Sequence, residues 1–418
     1  MSEKFIAITL GAIACVSGAI ALAMAQAIPE SLGLRPSSER NSASAKHVIL
    51  FIGDGMGFEQ VKAASLYDRG TPRSLPFQQF PHHGQVTTHS ANNSVTDSAA
   101  AATAIATGFK VNNNVISMAI PGDGAPLTTV LEYFQARGKS TGIVTTTEMS
   151  HATPAAFAAH EPSRSNAVEI VADYFEQSRP HVLFGGGSSG GLSPTLAREA
   201  GYRVVGDRAE LQQLDTETVE RVSGQFGNGH LPYEFDGLGD LPHLQEMTAT
   251  AIAILDNDPD GFFLIVEGGR IDHAGHANDL QRNVMETLAF ADAVRQAVTW
   301  AEEHPETLIL VSADHETGGL TVVGDRGAGE FPEVTWSTTD HTGTNVPIYG
   351  WGVGSESIAG TLDNTDFFSL MTGVEPVRVS QEPRVTLAAI VPFYRPGIFE
   401  TPGRQLRSKA RANLSIAR

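Results

Sequence analysis

Cysteine is almost absent: the 418-residue sequence holds one, Cys15, inside an apolar N-terminal run. The chain beyond that run therefore has no disulfide, so an oxidising compartment is permitted but not required. Positive charge is also scarce. Lys and Arg number 28 against 47 Asp and Glu, a formal net charge of −19. Such a surface disfavours nucleic acid and anionic membranes as partners. It would also repel a highly charged anionic substrate, unless the site itself concentrates positive charge as bound metal ions would. No internal repeat is present. No apolar run occupies the C-terminal end, which argues against a lipid-linked anchor of the kind that replaces one. What remains has the balance of a globular protein, and the length suffices for one large domain or two ordinary ones.

Lys4, the largely apolar Phe5–Ala23 and the small-x-small triplet Ala23-Met24-Ala25 predict a signal peptide over 1–25, cleaved before Gln26. Export to a periplasm or the medium is expected, with an uncleaved membrane anchor as the alternative. Residues 26–45, rich in Ser, Pro, Arg and Asn, read as a linker, and 46–395 as one large domain. Residues 396–418, with Arg404, Arg407, Lys409, Arg411 and Arg418, read as a basic, mobile tail.

His47–Ile52 is a mostly apolar run of the type that forms a buried parallel strand, and it leads into Gly53-Asp54-Gly55-Met56-Gly57. Similar runs recur at Ser140–Thr147, His181–Phe184, Phe262–Val266, Thr307–Val311 and Val346–Tyr349. Helical patterns fall between them at Leu127–Ala136, Ala167–Gln177, Leu244–Leu255 and Leu280–Glu303. The alternation predicts an α/β fold, a mostly parallel central sheet with helices on both faces. Gly206–Leu241 reads as an irregular excursion or a small subdomain. Gly185-Gly186-Gly187-Ser188-Ser189-Gly190 has the spacing of a dinucleotide fingerprint, with Asp207 downstream. Gly191, Ser193 and Pro194 interrupt the helix that motif needs, which leaves a glycine loop.

Open sheets of this class bind ligands beyond the C-terminal strand ends, and polar residues collect there. Asp54 follows the first strand. Glu267, Asp272, His273 and His276 follow Phe262–Val266, and Asp272 and His276 share a face if that stretch is helical, a spacing that suits zinc. Asp314-His315 follow Thr307–Val311, and Asp340-His341 precede Val346–Tyr349. His151 and Thr153 follow Ser140–Thr147, with Arg164 farther on. Singly, each reads as a solvated loop residue. Together they gather carboxylates that would repel one another without a bound cation. An arginine in such a site suits bidentate recognition of phosphate oxygens. Thr96-Asp97-Ser98 opens an alanine-rich run ending at Thr107-Gly108, which predicts a short helix whose N-terminus favours an anion beside Ser98.

Ile52-Gly53-Asp54-Gly55-Met56-Gly57, Thr96-Asp97-Ser98-Ala99-Ala100, His151-Ala152-Thr153-Pro154, Arg164, Glu267-Gly268-Gly269-Arg270-Ile271-Asp272 with His276, Asp314-His315-Glu316-Thr317-Gly318-Gly319 and His341-Thr342-Gly343 occur in the order found in alkaline phosphatases. From residue 46 to about 352 the chain resembles that family. The resemblance implies a serine phosphomonoesterase of broad substrate range with two Zn2+ and one Mg2+. It assigns Asp272, His276 and His341 to one zinc, and Asp54, Asp314, His315 and Ser98 to the other. Asp54, Thr153 and Glu267 fall to the magnesium, Arg164 to phosphate, and Ser98 also to the nucleophile that becomes phosphoserine. Asp97 is the expected group orienting Arg164. Small phosphate monoesters are the implied partners, without nucleic acid and without a membrane in the mature form. A homodimer is compatible with the family pattern. Short segments at 164–267 and 315–341 imply reduced surface insertions, however, including the crown region, and put that interface in doubt.

His151 and His273 stand where the best-known bacterial members have Asp and Lys, and here the chain resembles the animal enzymes. Imidazole in place of a carboxylate implies a third site more open to zinc or cobalt. Thr317 replaces a histidine that in some members supports the second zinc's carboxylate ligand. Two other readings stay open on sequence: a related metal-dependent phosphodiesterase, and a non-catalytic exported phosphate- or metal-binding protein.

Overall fold

A computed structural model describes residues 45–376 together with the two-residue strand Arg35–Pro36. The expected signal peptide, nearly all of the linker, the last part of the expected domain and the basic tail lie outside the described residues.

Ten strands form the central sheet: β1 (His47–Gly53), β2 (His82–Thr87), β3 (Ser140–Glu148), β4 (Val182–Gly187), β5 (Arg203–Val205), β6 (Val222–Asn228), β7 (Phe262–Gly268), β8 (Thr307–Ser312), β9 (Val346–Gly352) and β10 (Thr361–Asp363). Their order across the sheet is β10-β2-β9-β8-β1-β7-β3-β4-β6-β5. Every neighbouring pair is parallel except β2–β9 and β9–β8, so β9 alone runs against the rest. β1 lies between β8 and β7 and is buried at every position, which is why it reads as a continuous apolar run instead of an alternating one.

The helices that bear on the site are α1 (Phe58–Arg69), α2 (Ser98–Thr107), α3 (Ala152–Ala158), α4 (Leu244–Leu255), α5 (Arg270–His276) and α6 (Leu280–Ala301). α2 is buried along its whole length and packs against α3, which is also buried throughout. Small side chains on both let the two backbones approach closely, and a helix apolar on every face belongs in the interior. Asp97 caps α2 by accepting the Ala100 N–H at 3.1 Å. Gly108, at φ 75°, ends it in the left-handed conformation that favours glycine.

Two expectations fail. Gly206–Leu241 is not irregular throughout, because β6 lies within it and joins the main sheet beside β4. Its Val-Ser-Gly-Gln-Phe-Gly-Asn sequence lacks an apolar run for a packing reason. A Cβ on Gly224 would lie 2.5 Å from the Phe226 ring and 2.7 Å from Phe184. Gly185–Gly187 is likewise the end of β4 and not a loop, and a Cβ on Gly186 would stand 1.7 Å from the Gly229 carbonyl. Asp207 caps a short helix, Arg208–Gln212. Among the described residues, no helix is long and apolar enough to cross a membrane.

Candidate active site

The site forms where strand ends meet. Asp54 leaves β1, Glu267 ends β7, Asp272, His273 and His276 ride on α5, and Asp314-His315 leave β8. His151 and Thr153 begin α3 just beyond β3. His341 precedes its strand instead of following it. Because β9 is reversed, its beginning reaches the same edge of the sheet as the ends of the parallel strands. A two-residue pairing, Glu316 with Thr342 and Thr317 with His341, then sets His341 beside His315.

Ligand-type atoms converge in three groups, each within 4.8 Å: Asp54, Asp314 and His315; Asp272, His315 and His341; and Asp54, His151 and Glu267. His315 Nε2 lies 3.4 Å from Asp54 Oδ1, 3.3 Å from Asp314 Oδ2 and 3.2 Å from Ser98 Oγ. Asp272 Oδ1 lies 3.4 Å from His276 Nε2 and 3.5 Å from His341 Nε2, and those two nitrogens are 3.1 Å apart. The His315 and His341 rings stack with centroids 3.6 Å apart. Seven of the expected residues thus fall into these groups, with His276 and Ser98 in contact with them, and the groups share Asp54 and His315.

The electrostatics are those of a site built for cations. Asp54 Oδ1 and Oδ2, Asp314 Oδ2, Glu267 Oε1, His151 Nδ1 and Thr153 Oγ1 are buried without a hydrogen-bond partner. Buried charge without a partner is costly, so such a group neutralises or finds a counter-ion. Burial, reinforced by Asp314 and Asp272, pushes the Asp54 carboxyl well up. Burial and Asp272 push Asp314 up to about 7. Burial and the neighbouring His341 hold His315 well below the usual range. At Asp272 burial acts upward, but the hydrogen bond from His341 and the nearby imidazoles outweigh it and hold the carboxyl low. Carboxylate, imidazole and hydroxyl donors with orphaned oxygens suit divalent cations.

Arg164 lies at the rim of these groups. Its Nη1 is 3.2 Å from Asp97 Oδ2 and its Nη2 3.2 Å from His151 Nε2. The carboxylate that caps α2 thus also meets the guanidinium. Asn114 N–H donates to the same carboxylate at 3.1 Å.

Several residues support the ligands, and of these Thr317 alone is singled out by the sequence, with a different carboxylate partner from the one expected. Thr317 Oγ1 donates to Asp272 Oδ1 at 2.5 Å and lies 3.3 Å from His315 Nδ1. Its carboxylate partner is thus Asp272, in the group with His341, and not one of the Asp54–Asp314 pair. Thr145 and Thr147 both hydrogen-bond Glu267 Oε2, the latter at 3.2 Å, and Thr146 accepts the Gly269 N–H at 3.0 Å. The two-residue spacing of Thr145 and Thr147 is the available signal, since it puts both hydroxyls on one face of β3. His230 stands against His151 and His273 with no sequence signal at all.

The family model for alkaline phosphatase matches residues 45–332. The chain is 34% identical to alkaline phosphatase 3 of Bacillus subtilis, across 81% of this chain and 90% of that protein. Its fold superposes on the cold-active alkaline phosphatase of the psychrophile Shewanella sp. with a TM-score of 0.71 and 30% identity, covering 78% of this chain and 98% of that one. A variant of the alkaline phosphatase from the Antarctic bacterium TAB5, with Mg bound in its M3 site, superposes with a TM-score of 0.70 and 28% identity over 79% and 98%. With the motifs, the sheet and the clustered ligand atoms all in agreement, the chain belongs to the alkaline phosphatase family.

Proposed function

We propose that the chain is exported and hydrolyses phosphate monoesters of broad range through a phosphoserine at Ser98. The observation that carries this reading is the position of the Ser98 hydroxyl. It stands at the N-terminus of α2, 3.2 Å from His315 and beside the Arg164–Asp97 pair. Ser98 Oγ forms a bond to phosphorus as the ester P–O bond breaks and the alcohol departs. Water then takes the phosphoryl group from Ser98 and releases inorganic phosphate. Arg164 holds two nonbridging oxygens, and Asp97 keeps the guanidinium in place. Free N–H groups and the dipole at the start of α2 add stabilisation for the transferred anion.

Asp272, His276 and His341 would hold one Zn2+, and Asp54, Asp314, His315 and Ser98 the second. Asp54, Thr153 and Glu267 would hold Mg2+, with His151 near enough to favour other divalent metals. Mg is bound in the M3 site of the TAB5 variant, which supports a third site of that kind here. When bound, the metals lower the pKa of the serine hydroxyl and of water and offset charge on the phosphoryl group. An arginine placed for a dianionic group favours a monoester over a diester. The test is trapping of phosphate on the protein at mildly acidic pH. Wild type is expected to carry label and Ser98→Ala none, with a loss of kcat of more than about a thousandfold. EDTA should abolish turnover and zinc restore it, and label on Ser98→Ala would sink the assignment.

A further inference from the structure

Arg164 is followed, contact by contact, by a band of nitrogen-bearing side chains. His151 meets Arg164, and its ring centroid lies 5.7 Å from that of His273 and 5.8 Å from that of His230. The His230 and His273 rings are 4.5 Å apart. Arg270 closes the band, with Nη1 2.8 Å from His273 Nδ1 and its guanidinium 3.8 Å above the Tyr233 ring. His230 and Arg270 have no part in the metal and phosphate assignments above.

Hydrogen bonds fix where the protons sit. A guanidinium only donates, so His273 Nδ1 accepts from Arg270 and the ring proton is on Nε2. His230 Nδ1 accepts the Glu148 backbone N–H at 3.0 Å, which puts its proton on Nε2 as well. Among the described residues neither Nε2 has a hydrogen-bond partner, and Arg270 Nε is buried without one. Nor does any carboxylate among them come within 4.0 Å of the Arg270 guanidinium, whereas Arg164, Arg208 and Arg282 each have one. Two fixed N–H donors, and a guanidinium on which the carboxylates of Glu286 and Asp236 act only from beyond 4.0 Å, suit an anion.

We propose that His230, His273 and Arg270 form a receptor for a second anionic group on the leaving alcohol. The favoured substrates are then phosphate monoesters that carry a carboxylate or another phosphate a few bonds from the scissile ester. This rests on the reading of Ser98 and Arg164 as the phosphoryl site. It deepens that reading by giving the leaving group a place of its own.

The experiment compares 3-phosphoglycerate with glycerol 3-phosphate, which differ in a carboxylate for a hydroxymethyl group, on the metal-loaded enzyme. Wild type is expected to show the higher kcat/KM on 3-phosphoglycerate. His230→Ala should lower the ratio of the two kcat/KM values about tenfold, through KM, and His230→Gln, which keeps a neutral N–H donor, should recover much of it. On unmodified enzyme, phosphonoacetate should inhibit p-nitrophenyl phosphate turnover about tenfold more tightly than methylphosphonate. A ratio unchanged in His230→Ala, or equal inhibition by the two phosphonates, overturns the subsite while normal turnover leaves the Ser98 reading standing. Failure of wild type to turn over either monoester refutes both.

Discussion

Thr317 shows how much one hydroxyl can hold. It joins Asp272, in one group of ligand atoms, to His315, which belongs to two of them. Outer hydrogen bonds of this kind orient a ligand and fix its tautomer, and their removal costs about ten- to a hundredfold in metal affinity. Thr317→Val keeps the shape and removes the bond. Zinc affinity, read by competition with a chromophoric chelator, is expected to fall by that factor, and an unchanged affinity would reduce Thr317 to a space-filler. Asp97 is comparably economical, since one carboxylate caps α2, receives Asn114 and meets Arg164.

Glu316 does for whole loops what Thr317 does for single ligands. It is 5% exposed and accepts from Gln60 Nε2 at 2.7 Å, Leu320 N at 3.2 Å, Gly319 N at 3.2 Å and Thr342 Oγ1 at 2.5 Å. Gln60 belongs to α1, which follows Asp54, and Thr342 follows His341, so one carboxylate ties together three segments that deliver site residues. Gly57 leaves room for it, since a Cβ there would stand 2.4 Å from Glu316 Cγ. Glu316→Gln turns an amide N–H2 toward donors. It is expected to cost about 1–3 kcal/mol, read as a lower urea midpoint at constant m. Much of this architecture is legible in the sequence where burial is complete on both sides of a strand. β1, β7 and β8 announce themselves because each carries an unbroken apolar stretch shortly before its ligands begin. β6 does not, because glycines make room for Phe226 and Phe184. The ligands were readable because carboxylates and imidazoles are conspicuous after an apolar run. Apart from Asp97 and Thr317, their supports were not, because the pairing is remote: Thr145 and Glu267 are 122 residues apart. The reversal of β9 leaves no mark in composition either, since an apolar run has no direction.

Across the whole molecule, acidity sets the pH dependence of stability. Glu286 on α6 is 3% exposed, accepts the Glu234 N–H at 2.8 Å, and is pushed up to about 8 by burial. A carboxyl whose folded pKa exceeds its unfolded value binds its proton more tightly when folded. Its contribution is therefore complete at low pH and is lost as pH rises from about 4.5 towards 8. Wild type is expected to lose thermal stability between pH 5.5 and 8.5, and Glu286→Gln to lose about 2–4 °C less over the same interval. Parallel Tm curves for the two proteins would show that the carboxyl titrates alike in both states.

The lone reversed strand has a consequence for how the enzyme is made. A ribosome delivers Asp54, Ser98, Arg164, Asp272 and His315 first, and His341 only afterwards. Until β9 inserts between β2 and β8, that side of the sheet stays unzipped, with β2 and β10 unattached to it. Asp272 meanwhile lacks one of its two imidazoles. Closure of the sheet and placement of His341 at the metal-binding edge therefore both depend on β9. A chain cut short before residue 346 would hold every ligand without the strand that closes the sheet, and is expected to be inert instead of half active.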